Sequence, residues 1–558
     1  MPLTAFGILN SSRHLCISQM DNNLARRKPY NQLKVRITNR LVQTPYPVVA
    51  CLLIILICLL LFAPALKGAF LGDDFACVKL YHNPKWLEWP KLFYSEWSQG
   101  IWGFQLPELR PFIALAFMVD AVVWHINPFG YHLTNILIHA LNSILLFFVV
   151  RSLKIGTGAA ALVAALLFAA HPSHIEAVYI VSGRTDLLPA TFLLGSFLTF
   201  IFYRSQNKII FYIFSIVLYT LGLFAKETII PFPGLLIAYD LLVVRNSEKK
   251  IYKTVASSLP YLIALAGYLY LRKSLFGTTV PMPTAWGEFW HRQSIYLNSL
   301  FPPLNIQQTW IWALLILFII ACTVFLKYFR RRLTGVHTTL LFFGIAWYLI
   351  SIMPLVVTYV APRHLYIASI GTCVMLAVAG QRLLPKRIFL LGTLVLLTCY
   401  SIFTSQYVNE SAQVSAISTS AQQTVDNLVS EAPKGSVLIV DIPANYLRDR
   451  LWAWSSPFVF QKPFRAIDAE EYFHILERPD NYYTYSSGWK QLDTVKKLIK
   501  TPFKGNMIYL SDEGQVKVKQ IERAKLQLML TEFVAKWQAL NQPSPNDLWV
   551  NFWHQYYK

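Results

Sequence analysis

The sequence predicts an α-helical polytopic membrane protein with a small α/β domain at its C-terminal end. Of its 558 residues, 55% are hydrophobic and only 14% are charged, a balance typical of chains that span lipid. Long apolar runs recur up to residue 403, and hydropathy falls after them. From about twelve runs we expect about eleven transmembrane helices plus one helix on the outer surface. The runs lie at 45–66, 111–127, 133–150, 157–170, 187–203, 210–224, 229–244, 256–271, 309–326, 338–358, 366–380 and 388–403.

The distribution of Lys and Arg predicts which loops face the cytoplasm. Residues 1–45 carry many basic residues and a single acid, so this tail is predicted to be cytoplasmic. The first outward loop then spans about 68–130. The later basic loops all fall inside only if the run at 111–127, which contains Asp120, does not cross. We therefore interpret that run as the outer surface helix and take 46–405 as the membrane domain.

The formal net charge of +21 is dispersed among the loops between the apolar runs. Such a distribution serves topology and contact with anionic lipid. It does not form the basic face that nucleic-acid binding requires, so we expect no nucleic-acid partner.

Residues 406–558 are predicted to form an extracytoplasmic accessory α/β domain. The run SVLIVDIP predicts a buried strand, and NMIYLSDEGQVKVK predicts two strands about a Glu-Gly turn. The run IERAKLQLMLTEFVAKW places Leu526, Leu530, Phe533 and Trp537 on one helical face. Because no catalytic constellation is found here, we interpret the domain as one that covers the active face or helps to present an acceptor.

An acid pair, Asp73 and Asp74, directly follows the first apolar run. Carboxylates are costly in hydrocarbon, so the pair is predicted to lie at the outer surface or in a watered cavity. Arg110, Lys226 and Arg363 are predicted at the same depth. Interfacial anchoring explains any one of these cations alone, whereas together they fit the phosphate of a lipid.

Other polar residues occur where the chain is otherwise apolar. His132, Asn135, His139 and Asn142 form one stripe on a helix, for which we favour helix–helix hydrogen bonding. A second set is predicted to line the outward cavity and comprises His171, His174, Glu176, Arg184, Asp186, Glu227, His364 and Tyr366. The spacing of its histidines leaves metal binding open against a helix-capping role. The candidate ligands are Asp73, Asp74, His174 and Glu176.

This set of groups predicts a reaction class. A paired acid suits removal of a proton from an acceptor hydroxyl, and nearby cations suit stabilisation of negative charge on a leaving phosphate. The sequence therefore predicts group transfer from a lipid phosphate to a hydroxyl at the outer face of a membrane.

Six segments, in this order, resemble the GT-C membrane glycosyltransferases, in particular the transmembrane and tetratricopeptide-repeat O-mannosyltransferases and their bacterial relatives. The likeness spans about residues 46–410, and its most specific part is the segment from Ala165. The segments are the Asp73–Asp74 pair, RPF from Arg110, GYHLTNILIHALNS from Gly130, ALLFAAHPSHIEAVYIVSGRTDLL from Ala165, FAKETIIPFP from Phe224 and RHLYIASIG from Arg363.

The resemblance implies transfer of a sugar, usually mannose, from a polyprenyl or dolichyl phosphate with inversion. It implies Asp73 as the base, and Asp74 as its assistant through a hydrogen bond or a metal ion. Mn or Mg is thus left open as a cofactor. Arg363 and Lys226 match positions that face the donor phosphate.

Several points stay open at this stage. The O-mannosyltransferases carry repeat arrays where this chain has a non-repeat domain, so the acceptor is a protein Ser or Thr, a glycan or a lipid. The absence of repeats favours a bacterial cytoplasmic membrane over the endoplasmic reticulum. A lipid or glycan transporter or flippase, and a non-catalytic relative, are the alternative functions; a transporter predicts charges near the middle of its spans.

Overall fold

The computed structural model describes most of the chain. The described residues are 46–102, 105–153, 158–244, 250–277, 286–300, 336–357, 360–443, 445–447, 449–452, 456–478, 494–500, 504–511, 513–539 and 552. The predicted basic tail at 1–45 and the apolar run at 309–326 lie outside them.

Helices account for most of the described chain up to residue 431. The first are α1 (Tyr46–Phe62), α2 (Asp74–Tyr81), α3 (Pro111–Trp124), α4 (Pro128–Ser152), α5 (Gly158–Ala169), α6 (Ile175–Tyr179) and α7 (Arg184–Gln206). They are followed by α8 (Ile209–Leu223), α9 (Phe232–Leu242), α10 (Lys250–Phe276), α11 (Trp286–Leu300), α12 (Val336–Ile352), α13 (Leu365–Leu383) and α14 (Lys386–Glu431). Each predicted apolar run within the described residues is helical, so the predicted helical class is confirmed.

Six helices in the described part are long and apolar enough to cross a bilayer, or seven if the bent pair at 158–179 counts as one span. Three apolar helices there are shorter. The chain is an integral, multi-pass membrane protein, whereas the number of about eleven spans stays a prediction. Helix α3 has 14 residues and is about 21 Å long, which agrees in length with the predicted surface helix.

The polar stripe on α4 joins this helix to its neighbours. The Asn135 amide donates to the carbonyls of Val178, Ile180 and Val181. His139 contacts the Ala169 carbonyl and the Tyr366 hydroxyl. These bonds satisfy buried backbone carbonyls at helix breaks, where lipid offers no donor. The predicted role in helix–helix hydrogen bonding is confirmed.

Helix α14 continues far beyond the last predicted span. It runs without interruption for 46 residues, so the domain boundary predicted at 405/406 lies inside it. Its later half buries Val408, Ser411, Val414, Ser418 and Ala421, at the three- and four-residue spacing of one helical face. The helix contacts the segment after α1 and the segment at 172–179, and the Thr404 hydroxyl donates to the Ala170 carbonyl. These contacts hold the helix in the fold.

A four-stranded sheet follows α14 and confirms the predicted α/β character of the C-terminal region. The strands are β1 (Ser436–Asp441), β2 (Asn445–Tyr446), β3 (Asp449–Arg450), β4 (Phe473–Glu477), β5 (Gly505–Leu510) and β6 (Val516–Ile521). The order β4-β1-β5-β6 has β1 parallel to both neighbours and β6 antiparallel to β5, while β2 and β3 form a separate pair.

Helices also occur in the C-terminal region. Those with given bounds are α15 (Ser456–Val459) and α16 (Arg523–Ala539), and residues 494–498 are helical as well. The predicted face of α16 packs on the sheet, where Leu526 and Phe533 share a core with Val437 and Met507. The first predicted strand, the predicted hairpin and the predicted helical face are therefore confirmed.

Candidate active site

The acid pair begins helix α2, and its two members differ in environment. Asp74 is fully buried, whereas Asp73 is half-buried. Gly72 precedes them with φ +49°, in the left-handed region that favours glycine, and so allows the tight turn into α2.

The carboxylate of Asp74 is held by three backbone amides. It accepts hydrogen bonds from Leu71 N at 3.2 Å, Val181 N at 3.1 Å and Ser182 N at 2.7 Å. Two of these donors belong to the turn between α6 and α7. Asp74 therefore attaches the acid-bearing loop to the start of α7, and it has no side facing solvent.

The turn that holds Asp74 is itself fixed by close packing and by an ion pair. A Cβ atom on Gly183 would lie 2.4 Å from the Ala177 carbonyl oxygen, so only glycine fits there. Arg184 pairs with Asp120 at 2.7 Å, and both side chains are buried. The Arg184 guanidinium also lies 4.4 Å from the centre of the Phe117 ring. Arg184 thus ties the turn to helix α3 instead of facing an outward cavity.

Three segments far apart in sequence meet around Asp186, in the first turn of α7. Lys226 Nζ lies 2.5 Å from one carboxylate oxygen of Asp186, and Arg363 Nε lies 3.5 Å from the other. Arg363 also binds Glu176 through Nη1 at 2.9 Å. Asp186 follows Ser182 by only four residues, so these cations lie close to the turn that holds Asp74.

A second group of ion pairs adjoins the first through neighbouring residues 226 and 227. Glu227 accepts from Arg110 at 3.4 Å and pairs with Arg272 at 3.3 Å, while Arg110 also bonds Glu108 at 2.8 Å. Burial opposes ionisation of Glu227, but Arg110 and Arg272 lower the pKa of its carboxyl to about 2. Arg110 further interacts with Asp186, which links the two groups electrostatically.

The two groups are electrically balanced. Four cations face four carboxylates, and all eight side chains are at most 22% exposed. The members are Arg110, Lys226, Arg272 and Arg363 with Glu108, Glu176, Asp186 and Glu227. We call these eight residues the ion-pair cluster. An arginine presents its N–H donors in a planar fork that matches the oxygens of a carboxylate or of a phosphate.

The predicted histidines and Tyr366 lie among packed helices. His174 contacts the Phe168 carbonyl and the Ser369 hydroxyl through its two ring nitrogens, and His171 contacts Ser173. Tyr366 is 1% exposed and bonds residues of the polar stripe on α4. His364 contacts the Tyr296 hydroxyl at 3.1 Å. The structure does not bring these four residues into an open cleft with the acid pair.

The candidate metal ligands do not converge. Among the described residues, no group of three or more His, Cys, Asp or Glu side chains is arranged to hold a metal ion. The ring nitrogens of His174 contact protein groups, Glu176 binds Arg363, and Asp74 binds backbone amides. As arranged, these residues do not fit a metal centre.

Three charged residues of this region are absent from the predicted site: Glu108, Asp120 and Arg272. Arg272, near the end of α10, and Glu108 both belong to the ion-pair cluster, where they pair with Glu227 and Arg110. Asp120 is the carboxylate that pairs with Arg184. In the sequence, Asp120 is distinguished only as a charge inside an apolar run. Its position in an otherwise lipid-compatible helix was the one signal that could have identified it, because such a residue is expected to have a partner.

The environment of Asp74 predicts a pH effect on stability. Burial raises the pKa of its carboxyl to about 6, although the amides of Ser182, Leu71 and Val181 act to lower it. The folded state therefore holds this proton more tightly than the unfolded state. The resulting stability is present below about pH 4 and is lost as the pH rises through about 6. We expect this loss in thermal unfolding of the parent protein.

In Asp74→Asn, that part of the pH profile should be absent. Glu88→Gln, which alters an exposed carboxylate of the same loop, should keep the parent profile. A profile for Asp74→Asn that matches the parent would contradict the assignment. The measurement is the unfolding temperature in detergent between pH 4 and 8.

Known proteins resemble part of this chain. No family model matches it. Protein O-mannosyl-transferase TMTC1 from Homo sapiens is 29% identical over 207 residues, which cover 34% of this chain and 23% of the human protein. Protein O-mannosyl-transferase TMTC4 from Mus musculus is 33% identical over 225 residues, or 36% of this chain and 30% of the mouse protein. The matches thus span less than a third of these relatives.

Two solved structures are also similar. ArnT from Cupriavidus metallidurans bound to undecaprenyl phosphate has 13% identity and a TM-score of 0.47, covering 84% of this chain and 93% of that one. The Archaeoglobus fulgidus oligosaccharyltransferase in complex with Zn and sulfate has 10% identity and a TM-score of 0.39, covering 84% and 72%. The resemblance to O-mannosyltransferases that the motifs indicated is confirmed: over about a third of its length, this chain is similar to protein O-mannosyl-transferases.

Proposed function

We propose that this protein is an inverting membrane glycosyltransferase that moves a sugar, mannose in the first instance, from a polyprenyl phosphate to an acceptor hydroxyl. One observation carries the proposal. The loop that bears the acid pair is bonded to the turn at 181–182, and the cations of the ion-pair cluster gather around Asp186 just beyond that turn. The similarity to protein O-mannosyl-transferases supports mannose as the sugar.

In this proposal the two aspartates have different roles. Asp73 takes the proton of the acceptor hydroxyl as general base, and the acceptor oxygen attacks the anomeric carbon of the sugar. The bond from that carbon to the phosphate oxygen breaks, and its electron pair leaves with the phosphate. The Asp74 carboxylate accepts hydrogen bonds from three backbone amides, so it holds the loop against the turn at 181–182 and thereby positions Asp73.

Arg363, Lys226 and Arg110 are proposed to bind the phosphate of the donor. Their charges lie at helix starts and loop positions, and not near the middle of the spans. This arrangement supports an enzyme over the transporter or flippase. Glu176, Asp186 and Glu227 keep the cations in place before the donor arrives, so the phosphate meets a preformed set of donors. The outer face of the membrane is the proposed side of the reaction.

The direct test is a transfer assay with purified protein in lipid nanodiscs. Radiolabelled polyprenyl-phosphate mannose is supplied with a Ser/Thr peptide, a glycan or a lipid acceptor, with and without a chelator followed by Mn or Mg. The proposal expects labelled acceptor and free polyprenyl phosphate in equal amounts. Movement of donor across the bilayer without either product would instead establish a flippase.

Arg363→Ala should raise the KM for the donor by about 10-fold or more, because a charge-assisted bond to phosphate contributes about 1.5–3 kcal/mol. Arg363→Lys should recover part of this loss, since it keeps the charge but not the planar fork. Arg382→Ala, an exposed residue at the other end of α13, is the matched control and should leave the KM unchanged. An unchanged donor KM in Arg363→Ala would refute the phosphate assignment.

A further inference from the structure

The loop that bears the acid pair also contacts the C-terminal region of the same chain. Asp74 bonds the turn at 181–182 of the membrane domain, as described above. Further contacts come from α14, from Leu451 and from residues 458–465. Gly72 N donates to the Leu451 carbonyl at 3.1 Å, and Ala69 N donates to the Ser415 hydroxyl.

The side chains of residues 458–465, which we call the clasp, lie directly on α2. The Phe464 ring packs edge-on against Phe75 at 5.0 Å and against Phe70 at 5.8 Å. Phe75 is the residue next to the acid pair. Lys79, one turn further along α2, donates to the Gln461 side chain and lies 5.2 Å from the Phe458 ring. The clasp therefore contacts both ends of the short helix.

The clasp is anchored to the long helix α14. Arg465 donates to Gln422 at 2.8 Å and pairs with Asp426 at 2.5 Å. Upstream of the clasp, the Trp452 indole donates to the Ser418 hydroxyl at 2.9 Å. Because α14 is continuous with a predicted span, the clasp is tied to the membrane domain by a helix as well as by its contacts with α2.

The geometry points to the clasp as a positioning element of the transfer site, with Phe464 and Gln461 as the residues that set the position of Asp73. Helix α2 has only eight residues and no side-chain cap at its start, so its own hydrogen bonds hold it weakly. Its orientation depends on the bonds of Asp74 to the turn at 181–182 and on the contacts of Phe75 and Lys79 with the clasp. This inference rests on the glycosyl transfer proposed above.

The expected result of loosening the clasp is a loss of turnover with little change in donor binding. Phe464→Ala removes the ring next to Phe75, and misplacement of a catalytic group by about 1 Å lowers the rate by about 100-fold. We expect kcat to fall by that order while the donor KM stays constant, because the ion-pair cluster is untouched. Phe464→Tyr keeps the ring and should restore most of the rate.

The matched control lies in the same C-terminal region but away from α2. Leu528 is 59% exposed on α16, so Leu528→Ala removes a similar apolar side chain at the surface. Its kcat should stay within about twofold of the parent. If Phe464→Ala does not fold, Gln461→Ala removes only the bond to Lys79 and should lower kcat in the same direction.

Hydrogen exchange tests the positioning role without any substrate. In Phe464→Ala, amides of residues 70–81 should exchange faster than in the parent, while those of α7 keep their protection. Faster exchange together with lower kcat supports the inference. Unchanged exchange at 70–81, or unchanged kcat in an active enzyme, overturns it. Faster exchange in a protein that transfers no sugar supports the positioning role and overturns the proposed function instead.

Discussion

Asp73→Asn is expected to lower sugar transfer by about 10²–10⁴-fold, because the amide cannot accept the proton of the acceptor hydroxyl. The substitution keeps the size of the side chain, and Asp74 still binds Leu71, Val181 and Ser182. Donor affinity should therefore be unchanged, which a lipid-binding measurement in nanodiscs can check. The rate is measured with saturating donor and a fixed acceptor.

Two comparisons make this result specific to Asp73. Glu88→Gln removes an exposed carboxylate from the same outward loop and should keep the parent rate. Asp74→Asn should lower activity through the position of α2, and so should speed hydrogen exchange at residues 70–81. Turnover of donor by Asp73→Asn at the parent rate would show that another group is the base.

Arg184→Met is expected to destabilise the protein by about 3–5 kcal/mol, since it leaves the buried Asp120 carboxylate without its cationic partner. The Arg184 side chain is 0% exposed and Asp120 is 4% exposed, so water cannot replace the lost interaction. The measurement is the fraction of protein that stays monodisperse in detergent after heating at graded temperatures.

The double variant separates the ion pair from simple loss of side-chain volume. Removing both charges in Arg184→Met/Asp120→Leu should recover much of the lost stability, because no charge is then buried alone. Arg382→Met, an exposed position, serves as the control and should behave as the parent does. If the double variant is no more stable than Arg184→Met, packing and not charge pairing explains the effect.

The sequence predicted those parts of the fold that rest on periodicity and on the cost of burying polar groups. The spacing of Asn135 and His139 on α4 was sufficient to predict interhelical bonds, since lipid cannot satisfy such groups. Likewise, the alternation around the turn at Gly514 predicted the β5–β6 hairpin. In each case the structure that the local pattern favours is also the one that the surrounding protein stabilises.

The remaining features depend on contacts that leave no local trace. Asp74 is held by backbone amides of Val181 and Ser182, and every residue except proline has such a donor. Arg272 reads as an ordinary basic residue near the end of an apolar segment, where interfacial anchoring is the simpler interpretation. Only the meeting of α10 with the loop at 224–231 distinguishes it. The roles assigned to the site residues stay predictions.

The length of α14 was predictable in part. Hydropathy falls after residue 403 because Ser, Gln and Asn enter the sequence, and this change places the predicted domain boundary at 405/406. The buried positions Val408, Val414, Ala421, Val425 and Leu428 nevertheless keep helical spacing. A hydropathy value is an average over a window and does not retain the 3.6-residue periodicity of apolar positions. It therefore locates where the chain leaves the lipid and not where the helix ends.

Because α14 is continuous, a single helix connects the last predicted span to the sheet of the C-terminal region. The 46 residues of this helix measure about 69 Å, and the hydrocarbon core of a bilayer is about 30 Å thick. The remaining length of the helix therefore extends beyond the hydrocarbon core. One residue added to the part of α14 beyond the lipid would rotate the residues that follow it by about 100° about the helix axis. A chimera that grafts another module onto this chain must therefore conserve the angular phase of residues 406–431 as well as their number.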